Sequence, residues 1–198
     1  MPPSTAKYPY DDLLRTSVAG IEMRTPVLTA SGTFGFGEEF ADFVDLARLG
    51  GVMVKGTTLA PRRGNEGVRI AETPQGMLNC IGLENPGVEH FLTEILPRIR
   101  PYGMNVIVNI SGSSVEDYAE IARRLNVDGV AVCGPPIMME RVAGIASEYG
   151  IPCEVSLEKR MACGLGACLS CAVDTKSGRR KVCKDGPVFP AGEVYYAS

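Results

Sequence analysis

Four cysteines sit in one glycine-rich stretch, RMACGLGACLSCAVDTKSGRRKVCKDG (residues 160–186), and they limit what the C-terminal part of this chain can become more than any other feature. Cys163, Cys168 and Cys171 follow the spacing C-x4-C-x2-C, and eleven residues separate Cys171 from Cys183. With that spacing plant-type 2Fe–2S clusters are held. Irons bridged by sulfides need four thiolates converging from a short arc, so the backbone must wrap closely around them. Gly164 and Gly166 permit the positive φ angles of such a wrap, and their bare N–H groups can donate to sulfur. A zinc site is one alternative, and thiols without metal are another. Zinc ligands more often come as paired C-x2-C or with histidines, whereas the single histidine, His90, lies far upstream. The remaining cysteines, Cys80, Cys133 and Cys153, are expected to be small buried hydrophobes.

Clustered thiols mean different things in different compartments. The N-terminal MPPSTAKYPYDD lacks a basic region followed by an apolar run, so it does not read as a secretory signal. No apolar stretch approaches the ~20 residues of a membrane span. The expectation is a cytoplasmic, reducing location, where such cysteines bind metal or do redox chemistry rather than form disulfides. A net charge of −3 and a pI near 5.3 offer no basic field for nucleic acid or an anionic membrane.

Up to about residue 150 the chain alternates strand and helix. IEMRTPVLTAS (21–31) reads as extended. GEEFADFVDLARLG (37–50) reads as helical, with Phe40, Phe43, Val44 and Ala47 on one face. GGVMVKGTT is a buried strand reaching Lys55, and RIAETPQGMLNCIGL an irregular excursion. Val88, Phe91, Leu92, Ile95, Leu96 and Ile99 mark an amphipathic helix. NVIVNISG is the next strand. Ser113 with Glu116 reads as a capping box opening a helix over 113–125, with Val115, Tyr118, Ala119, Ala122 and Leu125 inward. DGVAVCG is a further strand and IMMERVAGIASEYG a helix ended by Gly150. This order predicts parallel βα units. After Ile151 come one strand, CEVSLEKR, the cysteine loop and a hairpin turning at Lys176–Gly178, with no helix of useful length.

TPVLTASGTFGFGEEF, VKGTTLAPRRGN, RIAETPQGMLNCIGLENPG and VIVNISG together resemble class 1 dihydroorotate dehydrogenase, specifically the NAD-linked type B catalytic subunit, over residues ~20–126 and in the family's order. The resemblance implies part of a (β/α)8 barrel carrying FMN at the C-terminal ends of its strands. It implies that Ser31, Lys55, Gly56 and Asn109 lie against the flavin. It also implies that Lys55, with Asn79, Cys80, Ile81, Gly82 and Leu83, holds dihydroorotate or orotate. The residues agree chemically: a lysine at a buried strand end can neutralise a carboxylate or a reduced flavin, and asparagine both donates and accepts. Read without the resemblance, Lys55 fits a solvated strand end equally well, and GTFGFG reads as a turn rather than a phosphate loop.

From about residue 130, AVCGPPIMMERVAGIASEYGIPCEVSLEKRMACGLGACLSCAV and RRKVCKDGPVF resemble the C-terminal end of the same enzyme's electron-transfer subunit, a ferredoxin-reductase-like flavoprotein with a 2Fe–2S domain. CGPP (133–136) matches its loop near nicotinamide, and the four cysteines its cluster ligands. The implied organisation is a partial barrel over 1–127, a βα unit of a reductase-like NAD domain over 128–150, and a 2Fe–2S domain over 151–198, with strand DGVAV free to extend the barrel sheet. The fold class is α/β: partial TIM-barrel-like parallel βα units followed by a small β-rich cluster domain. No FAD-binding domain and no asparagine–x–serine–cysteine–proline segment, the context of the family's catalytic base, is found. Cys133 falls near the equivalent place but in reductase-like surroundings, so the catalytic residue stays unassigned. The expected function is that of a type B component oxidising dihydroorotate to orotate in pyrimidine biosynthesis, beside partner subunits. The alternative is a fusion without turnover, an electron carrier or an inert chimera.

Overall fold

The computed structural model describes residues 12–18 and 20–195, so the reading of the first eleven residues lies outside the described part. The chain divides into two compact units, one built on Glu22–Asn126 and one on the residues from Val127 onward.

Two three-residue strands come first, β1 (Thr16–Val18) and β2 (Ile21–Met23). In the first unit, β3 (Leu28–Thr29) pairs with β4 (Gly51–Thr57), and β4 pairs with β7 (Val106–Ile110), all parallel. β4 is therefore the central strand. Val52 and Val54 on one of its faces are fully buried, because alternate residues of a strand point to the same side.

Against that face packs a helical stretch built from α1 (Gly87–His90), a π turn (Phe91–Ile95), α2 (Leu96–Ile99) and a closing 3-10 turn (Arg100–Tyr102). The periodic residues Val88, Phe91, Ile95 and Ile99 are all buried, as expected. The π turn precedes Pro97, which has no N–H to donate back and whose ring crowds the carbonyl one turn earlier. Widening the helix accommodates both defects. Leu46, Val52, Val54, Phe91, Ile95, Ile99 and Met104 form the core of this unit.

Three expectations need correction here. Residues 37–50 hold two short 3-10 turns, Glu38–Phe40 and Leu46–Arg48, not one helix. The Asp45 carboxylate accepts from the Ala47 N–H at 3.2 Å and starts the second turn afresh. That buries Leu46 and Ala47 and leaves Phe43 84% exposed, while Phe40 stacks on Phe34 at 4.2 Å. The excursion at 70–79 is an antiparallel hairpin, β5 (Ile70–Thr73) with β6 (Gly76–Asn79), turning through Pro74 and Gln75. Helix α3 (Val115–Leu125) is capped by Ser114, one residue later than expected, with its side chain accepting from Asp117 N–H at 3.1 Å. The shift exposes Val115 and makes Ile121 the buried residue of the helix.

In the second unit, β8 (Val130–Cys133) and β9 (Cys153–Ser156) run parallel across helix α4 (Pro136–Glu148), and β12 (Val188–Pro190) pairs antiparallel with β9. β8 therefore belongs to this sheet and does not extend the sheet of β3, β4 and β7. β10 (Ala172–Thr175) and β11 (Gly178–Lys181) form the expected hairpin. Only four-residue helices, α5 (Val182–Asp185) and α6 (Ala191–Val194), are described after residue 151. Met139, Ala143, Val155, Leu157, Cys171, Val182, Phe189 and Ala191 form its core.

Candidate cofactor sites at strand ends and in the cysteine loop

In a parallel sheet the carboxyl ends of the strands lie together, and loops leaving them can converge on one ligand. Ser31 follows β3, Lys55 and Gly56 lie near the end of β4, and Asn109 stands near the end of β7. The sequence-predicted flavin residues thus come from three adjacent strands. The Asn109 side-chain amide donates to Ser31 Oγ at 2.9 Å, joining the two outer strands past the central one. Lys55 is half-buried, and its backbone N–H donates to the Gly35 carbonyl at 3.0 Å, fixing the GTFGFG turn beside it. It borders a cleft of about 350 Å³ with Phe36, Pro61, Arg62, Arg63, Glu84 and Asn85. Three cations against one carboxylate, Glu84, in its lining suit an anionic ligand.

The predicted substrate stretch, Asn79 to Leu83, leaves the hairpin and returns toward β4. Asn79 and Cys80 are exposed, whereas Ile81, Gly82 and Leu83 are half-buried. Leu83 stands against Gly56, where an added Cβ would meet its Cδ1 at 2.9 Å. The stretch and the strand-end residues are therefore neighbours. Cys80 N–H donates to the Arg69 carbonyl at 2.8 Å, and Arg69 pairs with Glu84 at 2.8 Å.

Sequence reasoning missed Asn85, which is 5% exposed and organises this region. Its Oδ1 accepts from Thr58 N–H at 3.0 Å, Thr58 Oγ1–H at 2.9 Å and Gly87 N–H at 3.0 Å, and its Nδ2 donates to Leu83 O at 2.9 Å. An asparagine directly before Pro86 at a helix start was the available signal.

The cysteine loop turns at its two expected glycines. Gly164 and Gly166 have φ of 68° and 78°. Cys163 Sγ accepts from the N–H groups of Leu165 and Cys168, both at 3.4 Å, and Cys171 Sγ accepts from Cys183 N–H at 3.5 Å. The N–H groups of Cys168 and Leu165, with the Cys168 thiol, pull the Cys163 thiol down to about 6. The Cys183 N–H and thiol lower Cys171, and Cys183, donating its proton to Cys171, is raised. Lys181 Nζ donates to the Gly166 carbonyl and ties the loop to the hairpin. The four thiols stand in two couples, Cys163 with Cys168 and Cys171 with Cys183. Among the described residues no three of His, Cys, Asp and Glu converge as on one metal ion. An all-thiol donor set with N–H groups aimed at sulfur fits an iron–sulfur cluster.

The other cysteines depart from expectation. Cys80 and Cys133 are exposed, and only Cys153 is partly covered. Cys80 lies in the loop after an exposed hairpin. Cys133 ends β8 on its exposed alternation. Burial raises the Cys153 thiol, with Glu154 adding to the effect. Among the described residues no helix is long and apolar enough to cross a membrane.

Comparison with known proteins finds two family models on the chain. The family model for dihydroorotate dehydrogenase matches residues 13–133, and that for the iron-sulfur cluster binding domain of dihydroorotate dehydrogenase B matches residues 158–195. The catalytic subunit of dihydroorotate dehydrogenase B (NAD(+)) from Bacteroides thetaiotaomicron is 55% identical over 113 residues, 57% of this chain and 37% of that one. The corresponding subunit of Parabacteroides distasonis is 44% identical over 155 residues, 78% of this chain and 47% of that one. The chain thus spans less than half the length of these curated relatives. A DHODH from Eimeria tenella, solved in complex with ferulenol, superposes with a TM-score of 0.52 over 75% of this chain and 46% of that one, at 19% identity, a likeness of fold. With more than half of its residues matched by the one model and its cysteine loop by the other, the chain belongs to the dihydroorotate dehydrogenase family, in its type B branch.

Proposed function

We propose that this chain is a component of a type B dihydroorotate dehydrogenase, oxidising dihydroorotate to orotate and passing the electrons to a 2Fe–2S cluster. The observation that carries the reading is the meeting of Ser31, Lys55, Gly56 and Asn109 at the carboxyl ends of three parallel strands, in a chain that also holds a four-thiol loop. The site residues fit FMN: a hydrogen-bonded Ser31–Asn109 pair, a cation at Lys55, and Gly56 keeping the strand end slim. FMN, when bound, supplies the hydride acceptor. Lys55 balances negative charge on flavin or substrate. Asn79, Cys80, Ile81, Gly82 and Leu83 present backbone and amide groups to the carboxylate-bearing ring, and Arg62 and Arg63 add positive potential nearby. The base that takes the substrate proton is not assigned to a residue.

A two-iron cluster asks for two thiolates per iron, and the couples Cys163–Cys168 and Cys171–Cys183 supply them. That pairing supports 2Fe–2S over a mononuclear zinc site. In this reading residues 1–127 form the barrel part, 128–150 a reductase-like βα unit, and 151–198 the cluster domain. The working enzyme includes a partner subunit carrying the FAD site, and it acts in the cytoplasm. The test is an anaerobic visible spectrum of the purified chain with iron and flavin assayed, before and after dihydroorotate. Cluster bands plus a flavin peak that bleaches with substrate are expected. Cluster bands indifferent to dihydroorotate overturn the dehydrogenase reading and leave an electron carrier.

A further inference from the structure

The stretch from Cys80 to Leu83 has no regular secondary structure to hold it, yet it follows an exposed hairpin. The Arg69 carbonyl holds its first residue and Asn85 its last, and between them one neighbouring segment holds the rest. Asn65 N–H donates to the Ile81 carbonyl at 3.0 Å. The Asn65 side-chain amide donates to the Cys80 carbonyl at 3.1 Å and lies 3.1 Å from Cys80 Sγ. A Cβ on Gly82 would come within 2.7 Å of Asn65, and one on Gly64 within 2.3 Å of the Ile81 carbonyl. The two segments are in direct backbone contact at two glycines, and Asn65 closes three polar contacts across the gap.

We infer that Asn65 is a positioning residue: it clamps Cys80 to Leu83 in the conformation that meets substrate, without touching substrate itself. This rests on the reading above that the stretch holds orotate. The carbonyls of Cys80 and Ile81 are occupied by Asn65, so they are turned toward residue 65 and away from any ligand. In a planar trans peptide the N–H points opposite to its carbonyl, so the N–H groups of Ile81 and Gly82 are left to face away from residue 65. A ring carrying a carboxylate and carbonyl oxygens needs donors, and a peptide segment whose carbonyls are held back offers them. Asn65 thus sets the polarity of the stretch.

The test compares wild type, Asn65→Asp and Asn65→Ala in the full chain. Aspartate keeps the shape, the backbone N–H to Ile81 and the packing on Gly82, but puts an acceptor where Cys80 O needs a donor. Orotate binding is measured by calorimetry, and amide hydrogen exchange is followed over residues 76–84 with β4 and β7 as the folding control. Both variants should bind orotate about tenfold more weakly, the scale of one lost hydrogen bond to a held carbonyl. Exchange at Cys80, whose N–H is bonded to the Arg69 carbonyl at the head of the clamped stretch, should quicken at least severalfold while β4 and β7 stay unchanged. If Asn65→Asp exchanges and binds like wild type, packing alone holds the stretch and the inference fails. If wild type does not bind orotate, the substrate reading fails by itself. Exchange then still decides the clamp: faster exchange in Asn65→Asp upholds it, and unchanged exchange overturns it.

Discussion

Replacing Asn85 by alanine removes a side chain that joins Thr58, just after β4, to the start of α1 and to the Leu83 carbonyl, and its cost can be worked from the bonds it makes. Thr58 Oγ1 also donates to Ala60 O at 2.6 Å, so the hydroxyl keeps a partner. Three backbone groups do not: Thr58 N–H, Gly87 N–H and Leu83 C=O. A buried group left without a partner costs about 1–3 kcal/mol. Gly87 is buried and should cost about 2 kcal/mol, while half-buried Thr58 and Leu83 are reached by water and should cost about 1 kcal/mol each. The expected loss is about 4 kcal/mol, a large share of the 5–15 kcal/mol typical of a domain. Asn85→Asp keeps both N–H partners and loses only the donor to Leu83, so about 1–2 kcal/mol is expected. Urea unfolding followed by far-UV ellipticity measures both, and amide exchange of Val52 and Val54 assigns the transition to this unit. Alanine within about 0.5 kcal/mol of wild type, or aspartate as damaging as alanine, would refute the reasoning.

Three further outcomes follow from the geometry. Phe91, on the helical stretch, is fully buried in the core with Val52 and Val54 of the sheet, so Phe91→Ala should cost about 3–5 kcal/mol in urea unfolding; a loss under about 1 kcal/mol would mean the core is not packed as described. Arg123 and Arg124 hold the Glu120 carboxyl at about 2 instead of 4.5. Because the folded value lies below the unfolded one, this contribution is complete above pH ~4.5 and disappears as the pH falls toward ~2. Glu120→Gln should flatten the acid limb of α3 amide protection across that window, and identical limbs would count against the pairing. In the chain freed of iron, Cys163, lowered to about 6, should react with iodoacetamide at pH 7 well before Cys153, whose thiol burial raises. Peptide mapping that finds Cys153 labelled first would contradict the loop geometry.

How much of this was legible in the chain depends on the range of the interaction concerned. The cysteine spacing is covalent and local, and the wrap at Gly164 and Gly166 follows from it. The helix from Val88 to Ile99 declares itself by period, even though Pro97 forces a π turn that periodicity does not reveal. Residues 37–50 show the limit: Phe40, Phe43, Val44 and Ala47 satisfy a helical pattern, but the Asp45 side chain caps a new turn and buries Leu46 instead. The hairpin at 70–79 was hidden because its strands are exposed on both faces and carry no alternation; only the Pro74–Gln75–Gly76 turn marks it. The meeting of Ser31 with Asn109 depends on strand order, which no local pattern encodes. Asn65 acts on carbonyls 15 and 16 residues away and left no motif, whereas Asn85 left only the weak mark of an asparagine before Pro86.

The four thiols are unequal in one respect that bears on how a cluster would be held. Cys171 is 1% exposed and belongs to the hydrophobic core beside Val155, Val182 and Phe189, whereas the other three cysteines are only partly covered. A cluster held by these thiols would therefore have one ligand rooted among packed side chains and three nearer the surface. Any repacking around Cys171 would reach the cluster directly, so the stability of this core and the retention of iron would rise and fall together.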